Sequence, residues 1–264
     1  MDYTKYAEKS KNKKNTFVDL ILTVLEYKTE GLQSIKRKGF CSNYLADADI
    51  GESILLYLKE SSFHLPPNLL HQKIRRPILM IGAGSGIAPF RGFWQQLMLD
   101  SLQNYTPEEI VQSLEALELN DPMTNVISNV GSATKTMTMF FGCRDKGCNL
   151  LEHETNMFSN LMTRFNAFSR EANCPKQYVS DVMKKEHHLI YNALVEQNGL
   201  IYVCGKIAMA DTVFKTLVSI IAEQLIEQRV LENSESANVT AEDFINSLID
   251  DGRYHQDIFG TEDV

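Results

Sequence analysis

Residues 77–96, PILMIGAGSGIAPFRGFWQQ, constrain the fold more than any other stretch of the chain. Ile78-Leu79-Met80-Ile81 after Pro77 is too short and too uniformly apolar for an amphipathic helix, and predicts a buried strand. Gly82, Gly84 and Gly86 follow at once, with Ser85 between the last two, and a helical run begins near Pro89. Proline suits a first helical turn, where no backbone donor is needed. A strand, a glycine turn and a helix N-terminus aim N–H groups and a partial positive charge at one point, which favours a phosphate. The glycines let a ligand approach the backbone. The spacing is G-x-G-x-G rather than G-x-G-x-x-G, so spacing alone leaves open both a nucleotide site and a plain strand-to-helix turn.

From residue 77 onward the chain reads as alternating strands and helices. Strands are predicted at 77–81, 136–141 (TMTMFF) and 200–204 (LIYVC). Helices are predicted at 89–99, about 150–167, about 179–197 and about 208–230. That rhythm implies an α/β fold, a doubly wound parallel sheet with helices on both faces. Some 36 residues separate helix 89–99 from the next strand, which is long for such a connection, and residues 100–135 are read as a surface insertion. A last helix is expected from near Thr240, where Thr240 and Asp243 form a capping-box-like pair, to Gly252.

The front of the chain differs. Residues 1–16 are polar and lysine-rich and read as a disordered lead-in. FVDLILTVLEY (17–27) and Ser53–Leu58 read as strands joined by loops, which suggests part of an antiparallel barrel over 17–72. Pro66-Pro67 and the basic group Lys73, Arg75 and Arg76 mark a boundary, after which 73–264 forms the nucleotide domain.

Charge separates the same two parts. Residues 1–76 carry 13 Lys/Arg against 9 Asp/Glu, whereas residues 77–264 carry 13 against 25. So acidic a main body argues against nucleic acid as a partner. No apolar run approaches the roughly eighteen residues of a membrane helix. Five scattered cysteines, an odd count, favour reduced thiols in a cytoplasmic compartment. The sequons at Asn104 and Asn238 are then chance matches. Cys143-x4-Cys148 with His153 fits no zinc spacing.

GAGSGIAPFRGFWQQ, with SFHLP at Ser62–Pro66, resembles the pyridine-nucleotide segment of the ferredoxin–NADP reductase superfamily, in its diflavin branch and of the nitric-oxide synthase type. The resemblance extends over nearly the whole chain beyond residue 17. It implies NADPH as cofactor, with Gly82, Gly84, Ser85 and Gly86 in the binding turn. Arg144, in Phe141-Gly-Cys-Arg144, matches an arginine that contacts the pyrophosphate. Without the family, an arginine at a strand end is usually a surface residue. Ser169, Arg170, Lys176 and Tyr178 match the segment that receives the 2′-phosphate and the adenosine end. A hydroxyl, a guanidinium and an ammonium suit a phosphate, and otherwise the stretch reads as a polar loop.

Cys204, in Tyr-Val-Cys-Gly, matches the cysteine beside the nicotinamide carbon, although such a cysteine is ordinarily core. Lys206 departs from the family, which commonly carries aspartate there. Arg253-Tyr-His-Gln-Asp-Ile-Phe259 resembles the tail in which Asp257 assists hydride transfer and Phe259 covers the flavin. Phe259 could equally be a packing residue.

On the flavin side, Tyr27, Gly39, Cys41 and Ser42 resemble FAD-contacting positions. The family's Arg-x-Tyr-Ser segment is missing before Phe17, as are the rest of the barrel and the FMN, calmodulin-binding and haem parts. The expectation is therefore a C-terminal fragment that holds FAD weakly or not at all, with FMN and haem confined to missing domains. Its partners would be NADPH and the flavin and FMN domains of the full-length protein. The alternatives are another diflavin reductase, of the cytochrome or sulfite type, and a truncated NADPH-binding chain without activity.

Overall fold

The computed structural model describes residues 18–29, 34–57, 59–67, 76–102, 136–159, 161–231 and 233–260. The lead-in at 1–16, most of the insertion at 100–135, and Lys73 and Arg75 lie outside the described residues. The chain divides into two units, Met1–Glu52 and Ser53–Val264.

The first unit holds a two-stranded antiparallel ribbon, β1 (Glu26–Lys28) and β2 (Lys36–Lys38), followed by helix α1 (Phe40–Asp47). The strand expected over 17–27 is reduced to β1. Val18, Leu20, Val24 and Leu25 are exposed, so the apolar run there has nothing to bury against among the described residues. Alternation predicts a strand only where a partner surface exists.

The second unit is built on a five-stranded, wholly parallel sheet: β3 (Ile78–Ala83), β4 (Met137–Cys143), β5 (Met162–Phe168), β6 (Leu200–Lys206) and β7 (Tyr254–Phe259), in the order β5-β4-β3-β6-β7. The strand expected at Ser53–Leu58 does not form over the described residues 53–57. A 3₁₀ turn (Gly84–Ile87) leads from β3 into helix α2 (Ala88–Leu102), and α3 (Glu152–Met157) follows β4. Helices α4 (Val179–Lys185) and α5 (His187–Tyr191) precede β6, and α6 (Ile207–Glu227) and α7 (Ser234–Asp250) follow it.

Side chains alternate across a strand, and β3 shows the division. Leu79 and Ile81 join Phe140, Ile201 and Val203 in a core with Val182, Met183, Val213, Leu217 and Leu248. On the opposite face Tyr202 meets the Phe93 ring edge-on at 4.9 Å and the Phe63 ring at 5.3 Å. Phe63 is itself buried, and the Tyr202 hydroxyl donates to the His64 carbonyl at 3.0 Å. The FHLP stretch is thereby anchored to β6.

Two strands correct the sequence reading. Residues 150–167, expected as one helix, divide into α3 and β5. Arg164, Phe165 and Asn166 are only half-buried on a sheet edge that pairs with β4 alone, so β5 lacks the apolar run of its neighbours. The tail becomes β7 because the Arg253 carbonyl accepts from the Ile201 amide at 2.8 Å. The buried Arg253 guanidinium donates to the carbonyls of Gly199 and Leu194. The last helix also starts six residues early, at Ser234, where Asn233 rather than Thr240 accepts from a first-turn amide, that of Glu235.

Candidate functional site

All five strands of the sheet run the same way, so their C-terminal ends share one edge. The chain steps from β3 outward through β4 to β5, then returns to the other side of β3 for β6 and β7. Such a reversal leaves a crevice beyond the C-terminal ends, where open α/β sheets bind ligands. Each strand delivers sequence-predicted residues to this edge.

At β3 the glycines serve different ends. A Cβ on Gly86 would lie 2.2 Å from the Cys204 carbonyl oxygen, and one on Gly82 would lie 2.8 Å from the Phe90 ring. Those two are glycines because β6 and α2 pack against them. Gly84 alone combines a left-handed φ of +56° with open space, where a Cβ would meet nothing within 4 Å among the described residues. It is the position that a ligand can approach, with Ser85 beside it opening the turn into α2.

The ends of β4 and β5 are tied together. The Cys143 carbonyl accepts from the Ser169 amide at 3.0 Å and from its hydroxyl at 3.3 Å. The Arg144 carbonyl accepts from the Arg170 amide at 2.6 Å. Both arginine side chains are exposed. The loop after β5 closes where the Gln177 amide donates to the Phe168 carbonyl at 3.0 Å, which returns Lys176 toward Ser169. Lys176 Nζ lies 4.7 Å over the Tyr178 ring, itself half exposed. A hydroxyl, three cations and an aromatic face on adjoining loops form a donor set suited to a phosphorylated nucleotide.

Across the switch point, Cys204 is a register partner of both Gly82 and Asp257. Its thiol is buried, and burial first, then the Asp257 charge, pushes it up to about 12. It therefore stays protonated at neutral pH. Asp257 and Phe259 on β7 are both exposed, Phe259 opposite Lys206 in register. The His255 ring stacks on Tyr202 at 4.6 Å, and burial lowers its basicity.

Sequence reasoning missed the supports. The Glu154 carboxylate, on α3, accepts from Arg91 Nε at 2.9 Å and from the buried Trp94 indole at 2.7 Å, fixing α2 behind the glycine turn. Arg164 lies 4.8 Å over the Phe141 ring and donates to Thr155 and to the Leu150 carbonyl, bracing the ends of β4 and β5. No spacing rule joins residues that lie on separate elements.

Tyr27, Gly39, Cys41 and Ser42 form a group within the first unit. Gly39 precedes α1, and a Cβ there would lie 2.9 Å from Leu25 Cβ. Ser42 Oγ accepts from the Leu25 amide at 3.0 Å, while Tyr27 and Cys41 are exposed. These residues supply one helix turn and one ring face. Among the described residues no cluster of three or more His, Cys, Asp or Glu could hold a metal.

The profile of the oxidoreductase NAD-binding domain family matches residues 80–215, which span the glycine turn, Arg144, Ser169–Tyr178 and Cys204. The chain belongs to this family. It is similar to the C-terminal, NADPH-binding part of nitric-oxide synthases. It is 32% identical to the nitric oxide synthase of Drosophila melanogaster over 249 residues, covering 92% of this chain and 15% of that protein. It is 32% identical over 255 residues to that of Anopheles stephensi, covering 95% and 17%. A third, from Bombyx mori, is 28% identical over 247 residues, covering 92% and 17%. The chain thus spans about a sixth of the length of the relatives that it matches. No described helix is long and apolar enough to cross a membrane.

Proposed function

We propose that this chain is the NADPH-binding reductase module of a nitric-oxide synthase-like flavoprotein. In the full-length protein NADPH would deliver hydride to FAD, with onward transfer to FMN and haem. The nucleotide domain is assigned to residues 73–264 and a partial flavin barrel to 17–72. The nicotinamide cofactor supplies the redox chemistry, and the protein's contribution is to bind and orient it.

The observation that carries this reading is the coupling of Cys143-Arg144 to Ser169-Arg170 beside the open turn at Gly84. Arg144 would meet the pyrophosphate from the middle of the edge. Ser169, Arg170 and Lys176 would hold a 2′-phosphate at one end, with Tyr178 against the adenosine. At the other end Cys204, as a neutral thiol, and Asp257 would face the nicotinamide, and Phe259 would lie over the flavin's approach. Asp257 is an acceptor that can orient a reacting group without taking charge from Cys204.

Calorimetric titration of the chain with NADP and with NAD tests this. The 2′-phosphate has cationic partners that a ribose hydroxyl cannot use, so NADP should bind roughly 30- to 1,000-fold more tightly. Equal affinities would reject the site.

A second reading, a chain that binds NADPH and transfers nothing, is favoured by one observation. In the first unit, apart from Asn43, no described residue is buried, and Phe40 and Ile50 are largely exposed. Such a unit has little core with which to hold a flavin.

A further inference from the structure

At the C-terminal end of β4 two cysteines converge on one backbone oxygen. The half-buried Cys143 thiol donates to the Asp145 carbonyl at 3.4 Å. The Cys148 amide donates to the same carbonyl at 3.0 Å and to Asp145 Oδ1 at 3.1 Å. The 3₁₀ turn Lys146–Cys148 thereby folds Cys148 back toward the strand end that carries Cys143, and leaves Cys148 exposed. Disulfides require Cβ atoms roughly 3.5–4.5 Å apart, a separation within side-chain reach across so tight a turn. The Cys143 thiol is pushed up to about 11, by burial first and then by Cys148, which is further testimony to their nearness. The proposed hydride chemistry uses neither thiol.

We infer that Cys143 and Cys148 form a reversible disulfide on exposure to a peroxide, and that its closure weakens binding of NADP-type nucleotides at the adjoining corner of the site. The second half rests on the nucleotide reading above.

The chemistry balances with hydrogen peroxide as oxidant. The exposed Cys148 sulfur attacks one peroxide oxygen, the O–O bond breaks, and a sulfenic acid and one water form. Cys143 then attacks the sulfenic sulfur, the S–O bond breaks, the S–S bond forms and a second water leaves. Two thiols are oxidised and one peroxide is reduced. Exposure makes Cys148 the sulfur that meets oxidant, and Cys143 attacks as its thiolate, which its raised pKa keeps scarce, so closure is the slower step.

Closure reaches the nucleotide corner by four hydrogen bonds, two of them from Ser169 to the Cys143 carbonyl. The Cys143 carbonyl holds Ser169, and the Arg144 carbonyl holds Arg170. The Lys146 amide, inside the loop to be closed, donates to the Glu171 carboxylate at 2.8 Å. Drawing the two sulfurs together moves the segment that carries Arg144 and Lys146, and these bonds pass that movement to residues 169–171.

The full chain is treated with hydrogen peroxide, blocked with N-ethylmaleimide and digested with trypsin without reductant. Cleavage after Arg144 and Lys146 separates residues 136–144 from 147–164, so the two peptides stay joined only through a Cys143–Cys148 disulfide. The joined mass is expected, and dithiothreitol should abolish it. Titration of the oxidised chain should show roughly tenfold weaker NADP binding, in the ordinary range for coupled sites, restored by dithiothreitol. Peroxide should leave the affinity of Cys148→Ser unchanged. Separate peptides, or Cys148 joined to Cys174 or to a second chain, would overturn the inference. Joined peptides with undiminished NADP binding would overturn the coupling. Joined peptides in a chain that, when reduced, binds NADP no better than NAD would support the disulfide and reject the nucleotide reading instead.

Discussion

The Arg170 amide donates to the Arg144 carbonyl at 2.6 Å, so two exposed guanidinium groups leave the sheet edge from a shared anchor. In the proposed site Arg144 would meet the pyrophosphate, and Arg170, with Ser169 and Lys176, the 2′-phosphate that only NADP carries. Arg170→Ala should therefore weaken NADP binding by about 1–2 kcal/mol, a charge-assisted bond discounted for solvent. That is roughly 5- to 30-fold in affinity. NAD binding should change little. Titration of the variant with both nucleotides checks this, and equal losses for both would move Arg170 away from the 2′-phosphate.

Four groups make the fold sensitive to alkali. Burial raises Cys204 from its ordinary 9.0 to about 12, and Cys143 to about 11. Tyr202 and Tyr254 rise from 10.0 to about 12 for the same leading reason. Each raised folded pKa means that the unfolded chain loses its proton first. Stability is then fully present below about pH 9 and drains away as pH rises toward 12. Roughly 2–4 kcal/mol should be lost by about pH 11 after allowance for partial exposure. Urea unfolding at several pH values measures the slope, and Cys204→Ala should flatten it between about pH 9 and 11.

If Tyr27, Gly39, Cys41 and Ser42 are all that this chain offers a flavin, it should retain FAD weakly. Ser42 Oγ is engaged by the Leu25 amide, and Tyr27 offers only an exposed ring. Purified chain should be nearly colourless after desalting and reduce ferricyanide slowly with NADPH. A yellow preparation with near-stoichiometric FAD, measured by absorbance, would show that these residues suffice.

How much of this was legible in the chain depends on where the physics is local. The β3 strand and its turn could be read because an apolar run, glycines and a proline lie consecutively. β5 could not, since Arg164 and Asn166 sit on a half-covered edge and broke the apolar pattern. β7 depends on the buried Arg253 reaching Gly199 and Leu194, more than fifty residues away. At Gly86 the close approach of the Cys204 carbonyl also requires a glycine, a packing constraint that the linear sequence does not display. Only Gly84 keeps the open approach that the turn suggested.

Lys206 stands at the N-cap of α6, with extended backbone and no side-chain capping bond. A cation there opposes the positive end of the helix, and lysine offers no acceptor to first-turn amides. An aspartate, which the resemblance implies at this position, would be a capping residue by its chemistry. Lys206→Asp should stabilise the chain by about 1 kcal/mol, raising Tm by roughly 2–4 °C. Calorimetric melting at low and high salt tests it. A gain that shrinks with salt would identify the charge share, and no gain at all would mean that α6 is capped by other means.

Glu154 offers the most direct test of how the glycine turn is supported. Its carboxylate takes both Arg91 Nε and the indole N–H of Trp94, a residue only 1% exposed. Glu154→Leu would leave that indole without its acceptor, a cost of about 1–3 kcal/mol, besides removing an ion pair that is three-quarters buried. Glu154→Gln keeps an acceptor oxygen and should cost less, about 1 kcal/mol. Trp94 is the single tryptophan of the chain, so fluorescence reports this contact without ambiguity. The expected order of urea midpoints is unmodified chain, then Gln, then Leu, with a shifted indole emission in the leucine variant before unfolding begins. Because α2 carries the open turn at its N-terminus, NADP affinity should fall in the same order. A leucine variant as stable as the parent, with unchanged emission, would show that α2 holds its place by apolar packing and that Glu154 contributes nothing to it.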